Sequence, residues 1–211
     1  MVIAFIGLGE VGSTYSSGLA RNGATVKGYD IKFDTEGKEN FVNYQKCLDA
    51  GVQLVDSPKE LIEGSDIIIA VTSCSQAMET AAMYKPFLKK EQLYCEWNST
   101  VPDLVRKVEA FLGDNCTFVD CCTLCSPSMF GVATPCCSCG PAGEQTANEL
   151  NAYGMKIRYM GDSIGQASAF KVIRSIFTKS LEATLVESLA CARYYGVEED
   201  IFKSIDRKSV V

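Results

Sequence analysis

The stretch Val2-Ile3-Ala4-Phe5-Ile6-Gly7-Leu8-Gly9-Glu10-Val11-Gly12 decides the fold of this 211-residue chain. An apolar run typical of a buried strand leads into glycines spaced as G-x-G-x-x-G, and helical spacing follows over Val11–Arg21. In such a unit the first glycine permits a tight turn, the second lets the backbone approach a pyrophosphate, and the third allows close packing of helix on strand. The alternative is a glycine turn in an α/β protein without a cofactor. We predict a dinucleotide site made by Gly7, Leu8, Gly9, Glu10, Val11 and Gly12.

Asp30 follows the second strand-like segment, Ala24–Tyr29. A carboxylate at this place accepts hydrogen bonds from ribose hydroxyls and repels a 2′-phosphate, which favours NAD over NADP. Lys27 and Lys32 flank it and oppose that preference, so NADP remains an alternative.

Strand-like and helix-like segments keep alternating along the chain, with Lys38–Ala50 as a helix and the aliphatic Asp66–Val71 as a buried strand. This rhythm predicts an α/β fold, a doubly wound, mostly parallel sheet with helices on both faces. In such sheets a ligand lies outside the carboxyl ends of the strands. Thr72 and Asn98 follow two of these ends and are expected to contact the nicotinamide half of a cofactor. Helix capping by the neighbouring serines and Thr100 is the plainer explanation of this polarity.

The rhythm changes in the last quarter of the chain, where Ile164–Tyr195 has the pattern of one long helix. We expect a dinucleotide-binding domain over residues 1–162. Residues 163–211 are expected to form an interdomain helix and the start of an all-α second domain. Such a helix needs a partner surface along its apolar side.

The long helix has two faces by spacing. Phe170, Ile173 and Phe177 recur on an apolar side and are expected to be buried. Lys171 and Ser175 lie on the opposite, polar side. A solvated surface is the usual explanation of such a polar side.

Composition excludes several classes of protein. The chain has no histidine, so histidine triads and histidine–zinc sites are excluded. A net charge of −6 argues against a nucleic-acid partner, and no apolar run approaches the length of a membrane span. Eleven cysteines without a secretory signal indicate a reducing, cytoplasmic compartment.

Six of the cysteines lie between residues 121 and 139. Their spacing matches no usual pair of C-x-x-C motifs, so we expect small buried hydrophobes and no metal site. A metal site and a reactive thiol are the alternatives.

The chain resembles the N-terminal part of the β-hydroxyacid dehydrogenases, which include 3-hydroxyisobutyrate and 6-phosphogluconate dehydrogenases, and in particular the 6-phosphogluconate dehydrogenase-like NAD-binding proteins. The features that carry the resemblance, in order, are the glycine turn, Asp30, Asn98-Ser99-Thr100, Val119-Asp120, and Gly165 followed by Lys171. It implies a Rossmann-type domain, a long interdomain helix and a helical domain that forms a homodimer. It also implies that Lys171 is the catalytic lysine, which takes the substrate hydroxyl proton as hydride leaves for the nicotinamide.

The substrate loop departs from the family pattern. Where members have D-x-P-x-S-G-G, this chain has Asp120-Cys121-Cys122-Thr123-Leu124-Cys125-Ser126. By position, the resemblance assigns substrate binding to Ser126 and to Ser175, which stands where members have an amide side chain. The expected function is NAD(P)-dependent oxidation or reduction of a small hydroxy acid or related carbonyl compound. A non-catalytic dinucleotide-binding or sensing module is the alternative, and a thiol-based metal or redox protein is a third.

Overall fold

A computed structural model describes residues 1–208, which form eight strands and ten α-helices. The strands are β1 (Val2–Ile6), β2 (Thr25–Tyr29), β3 (Gln53–Leu54), β4 (Ile67–Ala70), β5 (Leu93–Glu96), β6 (Thr117–Thr123), β7 (Pro135–Cys139) and β8 (Lys156–Tyr159). The helices are α1 (Glu10–Arg21), α2 (Lys32–Glu36), α3 (Tyr44–Asp49), α4 (Pro58–Ile62), α5 (Ala77–Tyr84), α6 (Pro102–Leu112), α7 (Pro127–Phe130), α8 (Gly143–Asn151), α9 (Gln166–Tyr195) and α10 (Glu198–Lys208).

The strands form one sheet in the order β3-β2-β1-β4-β5-β6-β7-β8. Strands β1 to β6 are parallel, β7 runs antiparallel to β6, and β8 is parallel to β7. The predicted doubly wound, mostly parallel α/β fold is therefore confirmed. The order reverses between β1 and β4, which is the place where open sheets of this kind bind ligands.

The core lies on both faces of the sheet. All four residues of β4 are fully buried, which explains their continuous aliphatic character. On one face, Tyr15 and Leu19 of α1 are also fully buried. No helix of residues 1–208 is long and apolar enough to cross a membrane.

The segment predicted as one helix over Lys38–Ala50 is interrupted. A 3-10 turn covers Lys38–Asn40, Phe41 is extended (φ −66°, ψ 130°), and α3 begins only at Tyr44. Phe41 is 4% exposed and packs edge-on against Phe33 with ring centroids 5.4 Å apart. Burial of this aromatic ring accounts for the break, which helical propensity alone does not indicate.

The chain forms two compact units, Met1–Lys171 and a second unit from Val172 onward, while the domain boundary after residue 162 stays a prediction. In the second unit, α9 gives way to α10 at Gly196 (φ +70°). The expectation that the apolar side of α9 is buried is wrong for the single chain. Phe170, Ile173 and Phe177 are 36%, 67% and 68% exposed.

Candidate functional site

Two adjoining clefts open at the carboxyl edge of the sheet, beside the reversal of strand order. The larger, about 390 Å³, is lined by residues that follow β4, β5 and β6 and by Lys171 of α9. The smaller, about 260 Å³, is lined by the glycine turn, the end of β2 and one side of α5. Val71, Thr72 and Ser73 line both clefts, so one elongated ligand can extend from one to the other.

The three glycines of the turn differ in what an added Cβ atom would contact. Gly7 has φ +91°, and a Cβ there would lie 2.6 Å from the Val71 carbonyl oxygen. A Cβ at Gly12 would lie 2.1 Å from the Gly7 carbonyl oxygen, so α1 packs closely on the turn. A Cβ at Gly9 would meet nothing within 4 Å. Packing of the chain does not require glycine at this position, whereas a pyrophosphate lying against the backbone would.

The Leu8 peptide is held on both sides. Its N–H donates to Asp30 Oδ2 at 2.8 Å, and its carbonyl oxygen accepts from Asn43 Nδ2 at 2.8 Å. The Leu8 side chain is fully buried. Asp30 therefore has a second role, as an anchor of the glycine turn, beside the predicted recognition of ribose.

Asp30 lines the smaller cleft, and the two lysines that flank it are engaged elsewhere. Lys27 Nζ donates to the Glu63 carbonyl oxygen at 2.7 Å. Lys32 Nζ lies 3.4 Å from Glu36 Oε1, while its backbone N–H donates to Asp30 Oδ1 at 3.1 Å. Neither ammonium group is paired with Asp30, although Lys32 also lines this cleft.

Thr72 and Asn98 lie together at the larger cleft. Asn98 Nδ2 donates to Thr72 Oγ1 at 3.4 Å, and Thr72 Oγ1 lies 3.3 Å from Thr80 Oγ1. Asn98 is 2% exposed, and its Oδ1 has no hydrogen-bond partner within residues 1–208. A buried amide oxygen without a partner suits a ligand that carries an N–H or O–H donor.

Lys171 reaches the same cleft from the second turn of α9. It is half-buried, and its Nζ donates to Ser99 Oγ. Burial lowers the pKa of Lys171, and the neighbouring Cys122 and Cys136 thiols act in the opposite direction. A lysine in this setting holds more of the neutral amine near neutral pH than an exposed lysine does.

The first turn of α1 contacts the segment that follows β6. Val11 lines the larger cleft, and Glu10 Oε1 accepts from the Ser126 hydroxyl at 3.3 Å. Ser126 is exposed and lies 2.8 Å from Ser128 Oγ, while Leu124, Cys125 and Pro127 beside it line the cleft. Ser175 follows Lys171 by one helical turn and lies in the second unit. The assignment of Ser126 and Ser175 to substrate binding stays a prediction.

Five of the six cysteines between residues 121 and 139 lie in strands. Cys136, Cys137 and Cys139 are on β7, and Cys121 and Cys122 are on the adjacent β6. All five are buried, and burial raises the pKa of Cys139 to about 12. Among residues 1–208 no group of three or more cysteine, aspartate or glutamate side chains is arranged to hold a metal ion.

The sequence analysis does not identify Asn43 as a residue that holds the glycine turn, because it places Asn43 inside one continuous helix. Asparagine beside an aromatic residue in a segment of weak helical periodicity is the available signal for a break. The sequence offers Ser99 as a helix cap, and the structure shows it as the acceptor of the Lys171 ammonium.

Comparison with known proteins gives a family match over residues 2–123, to the NAD binding domain of 6-phosphogluconate dehydrogenase. The chain is also 28% identical over 208 residues to an uncharacterized 28.5 kDa protein of Methanothermus fervidus. That alignment covers 98% of this chain and 76% of the relative.

Solved structures agree with this match. The conserved protein MTH1747, described as structurally similar to 3-hydroxyacid dehydrogenases, is 25% identical with a TM-score of 0.85, over 99% of this chain and 76% of its own. The 3-hydroxyisobutyrate dehydrogenase of Mycobacterium tuberculosis, solved with L-serine, is 18% identical with a TM-score of 0.79, over 93% of this chain and 66% of its own. The second likeness shows a shared fold.

Proposed function

The chain belongs to the family defined by the NAD-binding domain of 6-phosphogluconate dehydrogenase, and on that premise we propose that it is an NAD(P)-dependent oxidoreductase acting on a small hydroxy acid or a related carbonyl compound. The observation that carries the proposal is the position of Lys171. Its half-buried amine shares one cleft with Thr72 and Asn98, next to the glycine turn.

The residues fit a dinucleotide laid across the two clefts. The open space at Gly9 and the N-terminus of α1 suit the pyrophosphate, and Asp30 suits the ribose beyond it. Thr72 and Asn98 offer hydroxyl and amide groups to the nicotinamide half. When bound, the nicotinamide supplies the acceptor or donor of hydride.

Lys171 acts as the general acid and base in this proposal. In oxidation its neutral Nζ accepts the proton of the substrate hydroxyl while the carbinol carbon loses hydride. In reduction the ammonium returns the proton to the carbonyl oxygen. Burial supports the first role because it disfavours the charged form of the amine. Ser99, which accepts a hydrogen bond from Nζ, orients the amine.

We propose NAD as the preferred cofactor. A 2′-phosphate would be placed against the Asp30 carboxylate, and the neighbouring Lys27 and Lys32 side chains are directed at other acceptors. Fluorescence titration with NADH and NADPH tests the choice, and equal or tighter binding of NADPH would contradict it.

The activity is tested by screening hydroxy acids and their carbonyl counterparts with both cofactors, using wild-type protein and Lys171→Met. Turnover that the substitution removes supports the proposal. Cofactor binding without turnover of any compound, in protein of confirmed folding, would instead favour the non-catalytic binding or sensing module.

A homodimer formed through the helical region is also proposed. The exposed apolar side chains of the second unit support it, because a second copy would cover Ile173, Ile176, Phe177 and Leu181. Sedimentation equilibrium decides between a monomer and a dimer.

A further inference from the structure

Asp120 is a fully buried carboxylate at which four donors converge. It lies on β6, and its Oδ2 accepts from the backbone N–H groups of Gly165 and Ser168, both at 3.1 Å. The Cys139 thiol donates to the same oxygen at 3.2 Å. The Ser168 hydroxyl donates to Oδ1 at 2.7 Å. These bonds attach the first turn of α9 to the sheet.

The attached turn is the one that precedes Lys171. Ser168 and Lys171 are three residues apart on α9 and therefore share one side of the helix. A negative charge at a helix N-terminus is also favoured by the free N–H groups there. Asp120 thus fixes both the position and the rotation of the turn from which the Lys171 side chain extends.

Glu96 is the partner of Asp120 across the strands. The two residues are paired in register between β5 and β6, and Glu96 is fully buried. Its Oε1 accepts from the Asn98 N–H at 3.1 Å, and its Oε2 has no partner within residues 1–208. Burial raises the pKa of Glu96 to about 7, and the Asp120 charge adds to the rise while Asn98 opposes it. The turn that Glu96 holds continues into Ser99.

We propose that Asp120 and Glu96 are positioning residues for Lys171. Asp120 holds the helical turn that carries the lysine, and Glu96 holds the turn that carries its acceptor, Ser99. Among residues 1–208, neither carboxyl lines the larger cleft, so both act through other residues. The inference deepens the proposed function, since it rests on Lys171 as the proton-transfer group.

Attachment of α9 to the sheet explains Asp120, but it gives no reason for a second buried carboxyl group beside it. Burial of a carboxyl group costs free energy that an apolar residue in the same strand would not incur. Placing two of them side by side adds repulsion. Accurate placement of Lys171 and Ser99 explains why both are present.

The test measures the Lys171 amine directly. Trace acetylation with acetic anhydride, followed by mass spectrometry over a range of pH, gives a labelling curve whose midpoint reports the pKa of Lys171 whatever its accessibility. In Asp120→Asn the amide nitrogen cannot accept from the turn, so the turn loosens and Lys171 regains water. The midpoint should rise toward the ordinary lysine value of 10.5.

Glu96 is tested by a conservative pair of substitutions. Glu96→Gln keeps an oxygen for the Asn98 N–H and should leave the midpoint within about 0.2 pH units of wild type. Glu96→Ala removes the acceptor and should raise the midpoint. Asp66→Asn is the matched control, because Asp66 Oδ2 accepts from the Val2 N–H at the opposite edge of the sheet.

Unchanged midpoints in Asp120→Asn and Glu96→Ala, with lowered thermal stability, would show a purely structural role and overturn the proposal. If Asp120→Asn does not fold, Ser168→Ala removes only the bond to Oδ1, and an unchanged midpoint there overturns the Asp120 arm. The labelling needs neither cofactor nor substrate. Failure of the proposed enzymatic activity is therefore detected separately, by turnover.

Discussion

Substitution of Gly9 and Gly12 by alanine should separate ligand binding from folding within one motif. At Gly9 the backbone (φ −59°, ψ −161°) is open to alanine, and the added Cβ meets nothing within 4 Å. The free energy of unfolding should change by no more than about 1 kcal/mol, and the lower entropy of the unfolded chain favours a gain. At Gly12 the Cβ would lie 2.1 Å from the Gly7 carbonyl oxygen.

The two variants differ in what the new methyl group displaces. In Gly9→Ala it occupies space that we assign to the pyrophosphate, and loss of one charge-assisted hydrogen bond costs about 1.5–3 kcal/mol. The Kd for NADH should rise about tenfold to a hundredfold. In Gly12→Ala the new methyl group clashes with a backbone oxygen, so overpacking costs about 2–3 kcal/mol, the upper part of the usual range, against the roughly 1 kcal/mol of helix propensity that alanine gains. Its Tm should therefore fall by several degrees, roughly 2–8 °C.

The assay is thermal unfolding of both variants, combined with fluorescence titration of NADH at a temperature where each is folded. Wild-type affinity in Gly9→Ala, within about twofold, would refute the placement of the pyrophosphate. A large loss of Tm in Gly9→Ala would refute the packing argument instead.

Other predictions concern Lys171 and the two side chains that hold the Leu8 peptide, Asp30 and Asn43. Lys171→Met should leave the affinity for NADH within a few-fold of wild type. It should lower the turnover rate, measured in a steady-state assay, by roughly 10² or more, because positioned acid–base groups contribute about 10²–10⁴. A parallel loss of NADH binding would show that Lys171 is needed for binding or folding. Because burial lowers the pKa of Lys171, the rate of alcohol oxidation should rise with pH and level off before the ordinary lysine value of 10.5, and a rate independent of pH would contradict the role. Asp30→Ala should weaken the binding of NADH more than that of NADPH in fluorescence titrations, so the difference between the two Kd values should narrow. Asn43→Ala removes the hydrogen bond to the Leu8 carbonyl oxygen. It should weaken the binding of NADH and NADPH equally, by about tenfold at most.

The sequence alone was sufficient for the sheet and its dinucleotide turn. Apolar runs, glycine spacing and helix ends report interactions between near neighbours in the chain, and those interactions decide which segments become strands or helices. The G-x-G-x-x-G turn at Gly7 and Asp30 at the end of β2 both follow from such local patterns. The structure confirms the parallel sheet that they imply.

Local sequence patterns are not sufficient to predict the role of Lys171. Spacing placed it on a polar side of a long helix, a feature that most often faces water, and only resemblance to a family gave it a catalytic role. The long helix also showed that an apolar pattern does not specify what covers it, since Ile173 and Phe177 are largely exposed in the single chain.

The amino-acid sequence by itself determined the α/β rhythm, the glycine turn and the carboxylate that follows β2, because each depends on residues close together in the chain. Only the tertiary structure decided that Asn43 holds the Leu8 carbonyl and that Lys171 meets Ser99, since these partners are 35 and 72 residues apart. The physical reason is packing. Contacts between distant residues depend on how whole helices settle on the sheet, as where Asp120 fixes the first turn of α9, and no short stretch of sequence contains that information.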